Sequence, residues 1–180
     1  MLHLALLTMT LATSPTLERE VNRTVDEFLF QLLLTPTRHA VIISDYVPEG
    51  AAVLHVVNIA GEDTALFMFE RGLFLELTRR ERRVLIGHEV GHLAPQCQHL
   101  WDRISRELCA DAVSLKLVPA QDVSAMLSKS IRMFPYYPAR QEFVLRLAMI
   151  EETRRVKREQ EPTGVRSKEA SARNDWMDCA

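Results

Sequence analysis

Two histidines four residues apart enclose a glutamate near the middle of the chain, in the segment His88-Glu89-Val90-Gly91-His92. In an α-helix, residues at this spacing lie one turn apart on the same face, so both imidazoles can bind one metal ion. Glu89 follows the first histidine and can take a proton from a water molecule at that ion. Because catalytic zinc is commonly bound by histidine and carboxylate, the segment predicts one Zn²⁺ per chain.

A third protein ligand has two candidate sources. One is a histidine six residues after His92 with a glycine midway, but those positions hold Gln98 and Pro95, and His99 is one residue too far. The other is a glutamate from a following helix. Glu107 lies fifteen residues after His92, which is enough for the chain to turn and run back. The residues therefore favour Glu107 as the third ligand.

Asp111 lies one helical turn beyond Glu107 and shares its face. A carboxylate at this place can accept a hydrogen bond from the second ring nitrogen of a metal-binding histidine and fix its tautomer. Asp111 is therefore predicted to support the metal site without binding the metal.

The elements around these residues are predicted as strands followed by helices. Strands are expected over residues 40–44, 52–58 and 64–69, with short turns between them that favour an antiparallel sheet. Thr78 and Glu81 form a capping-box pattern that begins the helix with His88 and His92. Further helices are expected over 100–117, over 121–133 and from 139. The fold class is α+β: a small antiparallel sheet, an active-site helix and a following helical bundle.

Composition is typical of one ordinary globular domain. The chain has 180 residues, 47% hydrophobic and 26% charged, with a net charge of −2, so nothing favours nucleic-acid binding. Residues 1–158 are expected to form the domain, with an apolar segment over 1–14 that is either signal-like or packed on it, and a charged flexible tail over 159–180. No stretch reaches the roughly 18 apolar residues of a transmembrane helix. A soluble protein is expected, cytoplasmic rather than exported.

The three cysteines, Cys97, Cys109 and Cys179, form no CxxC pair, so they predict no dedicated cysteine zinc site. We expect free thiols, with a Cys97–Cys109 disulfide as the alternative in an oxidising compartment.

The motif His88 to His92, followed by Glu107-Leu108-Cys109-Ala110-Asp111, resembles the HExGH and ExxAD pattern of the M48 (Ste24/HtpX-like) gluzincin metallopeptidase family. Val57-Asn58 and Arg71-Gly72-Leu73 resemble that family's stretch before the zinc helix, and the likeness covers roughly residues 52 to 148. The chain lacks the membrane spans of well-known members and looks like a reduced, soluble, minigluzincin-like form.

This resemblance implies a zincin-like fold and a zinc endopeptidase acting on peptide or protein substrates. His88, His92 and Glu107 would bind the zinc, and Glu89 would be the catalytic base. It also implies an edge strand along which an extended substrate adds. That strand is expected to consist of Thr64, Ala65, Leu66, Phe67, Met68 and Phe69.

The resemblance extends to Tyr137-Pro138 and Arg146, where the family has an "HP…R" segment. Tyr137 stands in place of the family's histidine, so Tyr137 or Arg146 is the candidate for stabilising the oxyanion. Asp178 and Cys179 in the tail are potential zinc ligands that would make the enzyme latent if the tail folded over the cleft.

Three alternatives stay open. The first is a regulatory metalloprotease similar to ImmA/IrrE proteins, although Asp111 and the Asn58 region favour the M48 resemblance. The second is a non-catalytic zinc protein whose fourth ligand would be Cys97, His99 or Cys109. The third is a helical interaction module that binds no metal.

Overall fold

The structure is a computed structural model that describes residues 15–34, 38–47, 50–57, 63–134 and 139–160. The expectations for residues 1–14, for Asn58, for Tyr137 and for Asp178 and Cys179 lie outside these residues.

Seven helices and three strands are present in the described part of the chain. In chain order they are α1 (Pro15–Gln31), β1 (Arg38–Ser44), β2 (Ala51–Val57), β3 (Asp63–Glu70), α2 (Arg71–Glu76), α3 (Arg79–Gly91), α4 (Pro95–Gln98), α5 (Arg103–Leu117), α6 (Ala120–Met133) and α7 (Ala139–Gln160). The α+β class is confirmed. The short helix α4 was not predicted, and α7 continues two residues into the expected tail.

The three strands form a mixed sheet in the order β1-β3-β2, so the prediction of an antiparallel sheet is wrong in part. β3 pairs with β2 in antiparallel fashion, with Phe67 opposite Val53, but pairs with β1 in parallel, with Phe67 opposite Val41. The short turns suggested that consecutive strands are neighbours. This holds for β2 and β3, but β1 pairs with β3 and not with β2, so β3 lies between the two strands that precede it.

This order also corrects the predicted substrate-binding strand. Residues Thr64–Phe69 belong to β3, whose two edges are both paired within the sheet. A peptide adds to a sheet only where backbone N–H and C=O groups are free, so β3 cannot bind one by strand addition. Among the described strands, the edges are β1 and β2.

The sheet packs on the helices through one face of β3. Ala65, Phe67 and Phe69 are fully buried, while the intervening residues are partly exposed, as expected for a strand with a single core face. Phe28 of α1 and Ile86 of α3 belong to the same core. Helix α3 thus packs against both the sheet and the first helix.

Helix α3 begins as the sequence predicted. The Thr78 hydroxyl accepts a hydrogen bond from the Glu81 backbone N–H, and the Glu81 carboxylate accepts one from the Thr78 N–H. Lys129 of α6 donates to Glu81 at 3.0 Å, and Arg83 donates two hydrogen bonds to Glu27 of α1. These bonds connect α3 to two neighbouring helices and fix its rotation.

Cys97 and Cys109 are joined by a disulfide, contrary to the expectation of free thiols. The bridge connects α4 to α5, with the two Cα atoms 5.5 Å apart. The folded chain brings the two residues together, which their spacing in the sequence does not reveal. Disulfides are typical of oxidising compartments, the condition under which the alternative of a Cys97–Cys109 bridge was expected.

None of the helices in the described ranges is long and apolar enough to cross a membrane.

Candidate metal centre

His88 and His92 lie one turn apart at the C-terminal end of α3, and their Nε2 atoms are 3.2 Å apart. Val84, Ile86 and Val90 are buried in the core and fix the rotation of the helix. The imidazole of His88 is buried, and that of His92 is partly exposed. The two ring nitrogens therefore converge on one point at the border between core and solvent.

Glu107 enters from α5, which runs back alongside α3. Its Oε2 lies 3.0 Å from His88 Nε2, and its Oε1 lies 3.5 Å from His92 Nε2. The two helices approach closely because Gly91 has no side chain: a Cβ atom there would lie 2.7 Å from the Ala110 carbonyl oxygen. The glycine within the motif thus allows the third ligand to reach the two histidines.

The spacing of the three groups fits a metal ion. Their candidate ligand atoms all lie within 4.8 Å of one another. Bonds of 2.0–2.1 Å at tetrahedral angles would place neighbouring ligand atoms about 3.3 Å apart. The observed separations between 3.0 and 3.5 Å are close to that value. The cluster of His88, His92 and Glu107 can therefore hold a metal ion.

Asp111 fixes the orientation of His88. Its Oδ1 lies 2.8 Å from His88 Nδ1 and is buried, so the carboxylate can accept the Nδ1–H bond. That tautomer leaves the Nε2 lone pair free to bind a metal, which is the usual role of a carboxylate behind a metal-binding histidine. Asp111 thus lies beside the second ring nitrogen of His88, where the sequence predicted it.

Arg146 of α7 holds both carboxylates in place. It donates from Nε to Asp111 Oδ2 at 2.7 Å and from Nη2 to Asp111 Oδ1 at 2.8 Å. Its Nη1 donates to Glu107 Oε2 at 3.1 Å and lies 3.6 Å from Glu142. A guanidinium engaged in this way positions the ligands. The hypothesis that Arg146 stabilises an oxyanion is not favoured, because its donors face these carboxylates.

The electrostatic environment gives the two histidines different charges in the absence of a metal. Burial lowers the pKa of His92 to about 4, helped by the charge of neighbouring His88. Burial and Arg146 also oppose the charged form of His88, but Asp111 and Glu107 outweigh them and raise its pKa to about 9.

The carboxylates respond to the same charges. Burial alone would raise the pKa of Glu107, yet His88 and Arg146 hold it at about 2. The pKa of Asp111 is also well below its usual range, because the same two cations outweigh the effect of burial. Both carboxylates are thus ionised at neutral pH, as a metal site requires.

A cavity of about 590 Å³ opens over the cluster. Glu89, His88, His92 and Glu107 line it together, and Glu89 is 5% exposed. Apolar residues of α3, α6 and α7 also line it: Leu85, Met126, Leu127 and Phe143. The cavity thus combines a metal-binding group, a carboxylate and an apolar chamber.

The structure brings together five of the predicted site residues, His88, Glu89, His92, Glu107 and Asp111, and places Arg146 behind them. None of the residues Thr64–Phe69 lines the cavity. The strand that does is β2, through Ala51, Ala52, Val53 and His55.

Glu142 and Arg103 were not predicted to belong to the site. Glu142 lies 3.6 Å from Arg146 and 3.1 Å from Arg103 of α5, so it extends the ion-pair network to the rim of the cavity. The spacing of Glu142 and Arg146, four residues apart in a predicted helix, was a signal for an ion pair. It did not indicate which other residues the pair would contact.

The chain matches no known family model, no curated protein and no solved structure.

Proposed function

We propose that this protein is a zinc-dependent endopeptidase of the gluzincin type, similar to the M48 family. The observation that carries the proposal is the convergence of His88, His92 and Glu107 beside Glu89 in one cavity, with Asp111 bound to the far nitrogen of His88. Two histidines, one glutamate and an open side are the ligand pattern of catalytic zinc in peptidases.

A bound zinc ion supplies Lewis acidity, which polarises a peptide carbonyl and lowers the pKa of water towards neutrality. Glu89 takes the proton from the attacking water and passes it to the leaving amine. His88 keeps its Nδ1–H on Asp111, and Arg146 holds Asp111 and Glu107 in position. Tyr137, outside the described residues, remains the candidate for stabilising the oxyanion.

An extended substrate would lie along β2, which takes over the role first assigned to Thr64–Phe69. β2 is an edge of the described sheet and borders the cavity through Ala51, Ala52 and Val53. Its free backbone groups can pair with a peptide, while the apolar chamber takes a hydrophobic side chain.

The structural-zinc alternative is less well supported. Two of its three candidate fourth ligands, Cys97 and Cys109, are joined to each other in a disulfide. The metal-binding cluster among the described residues contains His88, His92 and Glu107, without His99. Asp111 behind His88 favours the M48 type over an ImmA/IrrE-like regulator, and the latter remains the second candidate.

The test is hydrolysis of casein by the zinc-loaded protein and by its Glu89→Gln variant. We expect the variant to lose at least about 99% of the activity, since general-base catalysis contributes about 10²–10⁴-fold, while its zinc content stays unchanged. The control is Glu76→Gln, an exposed glutamate of α2 outside the cavity, which should keep full activity.

Both proteins should also be assayed after removal of the residues beyond Gly164, so that a tail covering the cleft cannot hide activity. Undiminished hydrolysis by Glu89→Gln, or no hydrolysis by any zinc-loaded form, would contradict the proposal.

A further inference from the structure

Three arginines line the cavity, and they differ in their partners. Arg146 is 6% exposed and bound to Asp111 and Glu107. Arg103 donates to Glu142 at 3.1 Å. Arg106 is exposed and takes part in no ion pair or side-chain hydrogen bond within the described part of the chain.

Two acidic residues close to Arg106 in the sequence, Asp102 and Glu107, have other hydrogen-bond partners. Asp102, one turn before it, caps α5 by accepting the Ser105 backbone N–H at 2.7 Å. The hydrogen bond from Ser105, and to a smaller degree the charge of Arg106, keep the pKa of Asp102 low. Glu107, the next residue, faces the two histidines and Arg146. Among the described residues, no side chain accepts a hydrogen bond from the Arg106 guanidinium, so its donors are open to a ligand in the cavity.

Helix α5 fixes the backbone of Arg106 relative to the candidate metal site. Arg106 directly precedes the ligand Glu107 in α5, and α5 is attached at both ends of this region, by the Cys97–Cys109 disulfide and by the ion pair of Arg103 with Glu142. A guanidinium presents several N–H donors in a plane, which matches the two oxygens of a carboxylate.

We propose that Arg106 binds a carboxylate of the substrate, so that the cleft selects peptides with an acidic group close to the bond that is cut. The carboxylate belongs either to an aspartate or glutamate side chain or to the C-terminus of the peptide, and both present the same pair of oxygens. This inference rests on the proposed peptidase function and names the substrate class of that site.

The experiment uses the zinc-loaded full chain and pairs of peptides that are identical except for glutamate or glutamine at one position. Across the series, the glutamate or glutamine is placed at each position from four residues before to four residues after a central apolar residue of the peptide. Each peptide is made with a free and with an amidated C-terminus, which distinguishes the two sources of the carboxylate. The readouts are kcat/KM and, in the Glu89→Gln variant, the Kd for the same peptides.

We expect one position, or the free C-terminus, to raise kcat/KM and tighten Kd about tenfold, the effect of one charged hydrogen-bonded contact. Arg106→Gln should remove this preference, and Arg106→Glu should reverse it in favour of lysine at the same position. Arg80→Gln, an exposed arginine of α3 outside the cavity, should keep it.

A preference that persists in Arg106→Gln, or equal Kd values for all acidic and neutral peptides, would overturn the inference. Because Kd is measured in a variant that lacks the catalytic base, the result is independent of hydrolysis. Charge-selective binding without hydrolysis in the wild type would leave Arg106 supported and contradict the peptidase.

Discussion

His88 and His92 lie on the same face of α3 but carry different charges before a metal binds. Burial and the neighbouring His88 hold the pKa of His92 at about 4. Burial also disfavours the charged form of His88, but Asp111 and Glu107 raise its pKa to about 9. At neutral pH the metal-free cluster therefore contains one proton that a metal ion must displace.

We predict that zinc binding at pH 6 releases about one proton per chain. His88 is protonated below a pKa of about 9, whereas His92 and Glu107, with pKa values of about 4 and 2, are already deprotonated. Affinity should therefore rise about tenfold per pH unit and level off near pH 9. Calorimetric titrations in buffers of different ionisation enthalpy measure the proton count.

The Asp111→Asn variant is the control for this proton. Without the carboxylate, the pKa of His88 falls, and fewer protons are released on binding. A release of no proton or of two protons by the wild type would contradict the assigned charges.

The sequence predicted well which residues cluster at the candidate metal site, because their placement depends on local rules. The spacing of His88 and His92 fixes a shared helix face, and the same rule relates Glu107 to Asp111. The role of Arg146 could not be predicted in this way. Its contacts with Asp111 and Glu107 depend on how α7 packs against α5, which no spacing within α7 determines.

At the scale of elements, the contact between α3 and α5 is the one that assembles the site. Gly91→Ala places a Cβ atom 2.7 Å from the Ala110 carbonyl oxygen, so α5 must move away and carry Glu107 with it. We expect a loss of about 1–3 kcal/mol of stability, a lower Tm and weaker zinc binding. Thermal unfolding and chelator competition measure the two effects.

Gly72→Ala is the matched control, because a Cβ atom there would approach only the Glu70 Oε1 atom, at 3.7 Å. It should leave both Tm and zinc affinity unchanged or slightly raised, since alanine favours helix. Equal effects of the two substitutions would argue against the close approach of α3 and α5.

The Cys97–Cys109 disulfide fastens α4 to α5 across a sequence separation of 12 residues. Closing a loop of this length stabilises the folded state by about 3 kcal/mol in the chain-entropy model. Replacing both cysteines with alanine should therefore lower Tm by roughly 6–12 °C. The control Cys179→Ala should have no effect, and an unchanged Tm in the double variant would contradict a formed bridge.

For the sheet, the positions of the strands could be predicted from the sequence, but their order could not. The positions of β1, β2 and β3 were predicted to within two residues, because alternating and β-branched residues mark strands locally. The order of the strands in the sheet was not predicted. β1 pairs in parallel with β3, although β2 lies between them in the sequence. That pairing depends on the packing of the sheet against α1 and α3.

In the molecule as a whole, helices carry the charged residues of the candidate site, and an edge strand of the sheet borders the cavity. α3 and α5 carry the three residues that could hold a metal ion, α7 places Arg146 behind them, and β2 borders the cavity as an edge of the described sheet. A metal ion held there would face a cavity beside a strand with no second partner in the described sheet, an arrangement suited to the extended peptide substrate that we propose.

X-ray absorption spectroscopy at the zinc K-edge of the zinc-loaded protein identifies the atoms bound to the metal and tests whether His88, His92 and Glu107 hold it. We expect one zinc per chain with two imidazoles, one carboxylate and one water, at about 2.0–2.1 Å, and no sulfur. The water should be displaced by a hydroxamate, and His88→Ala should lose the metal. A sulfur shell near 2.3 Å, a fourth protein ligand that excludes the hydroxamate, or no stoichiometric zinc would contradict this expectation.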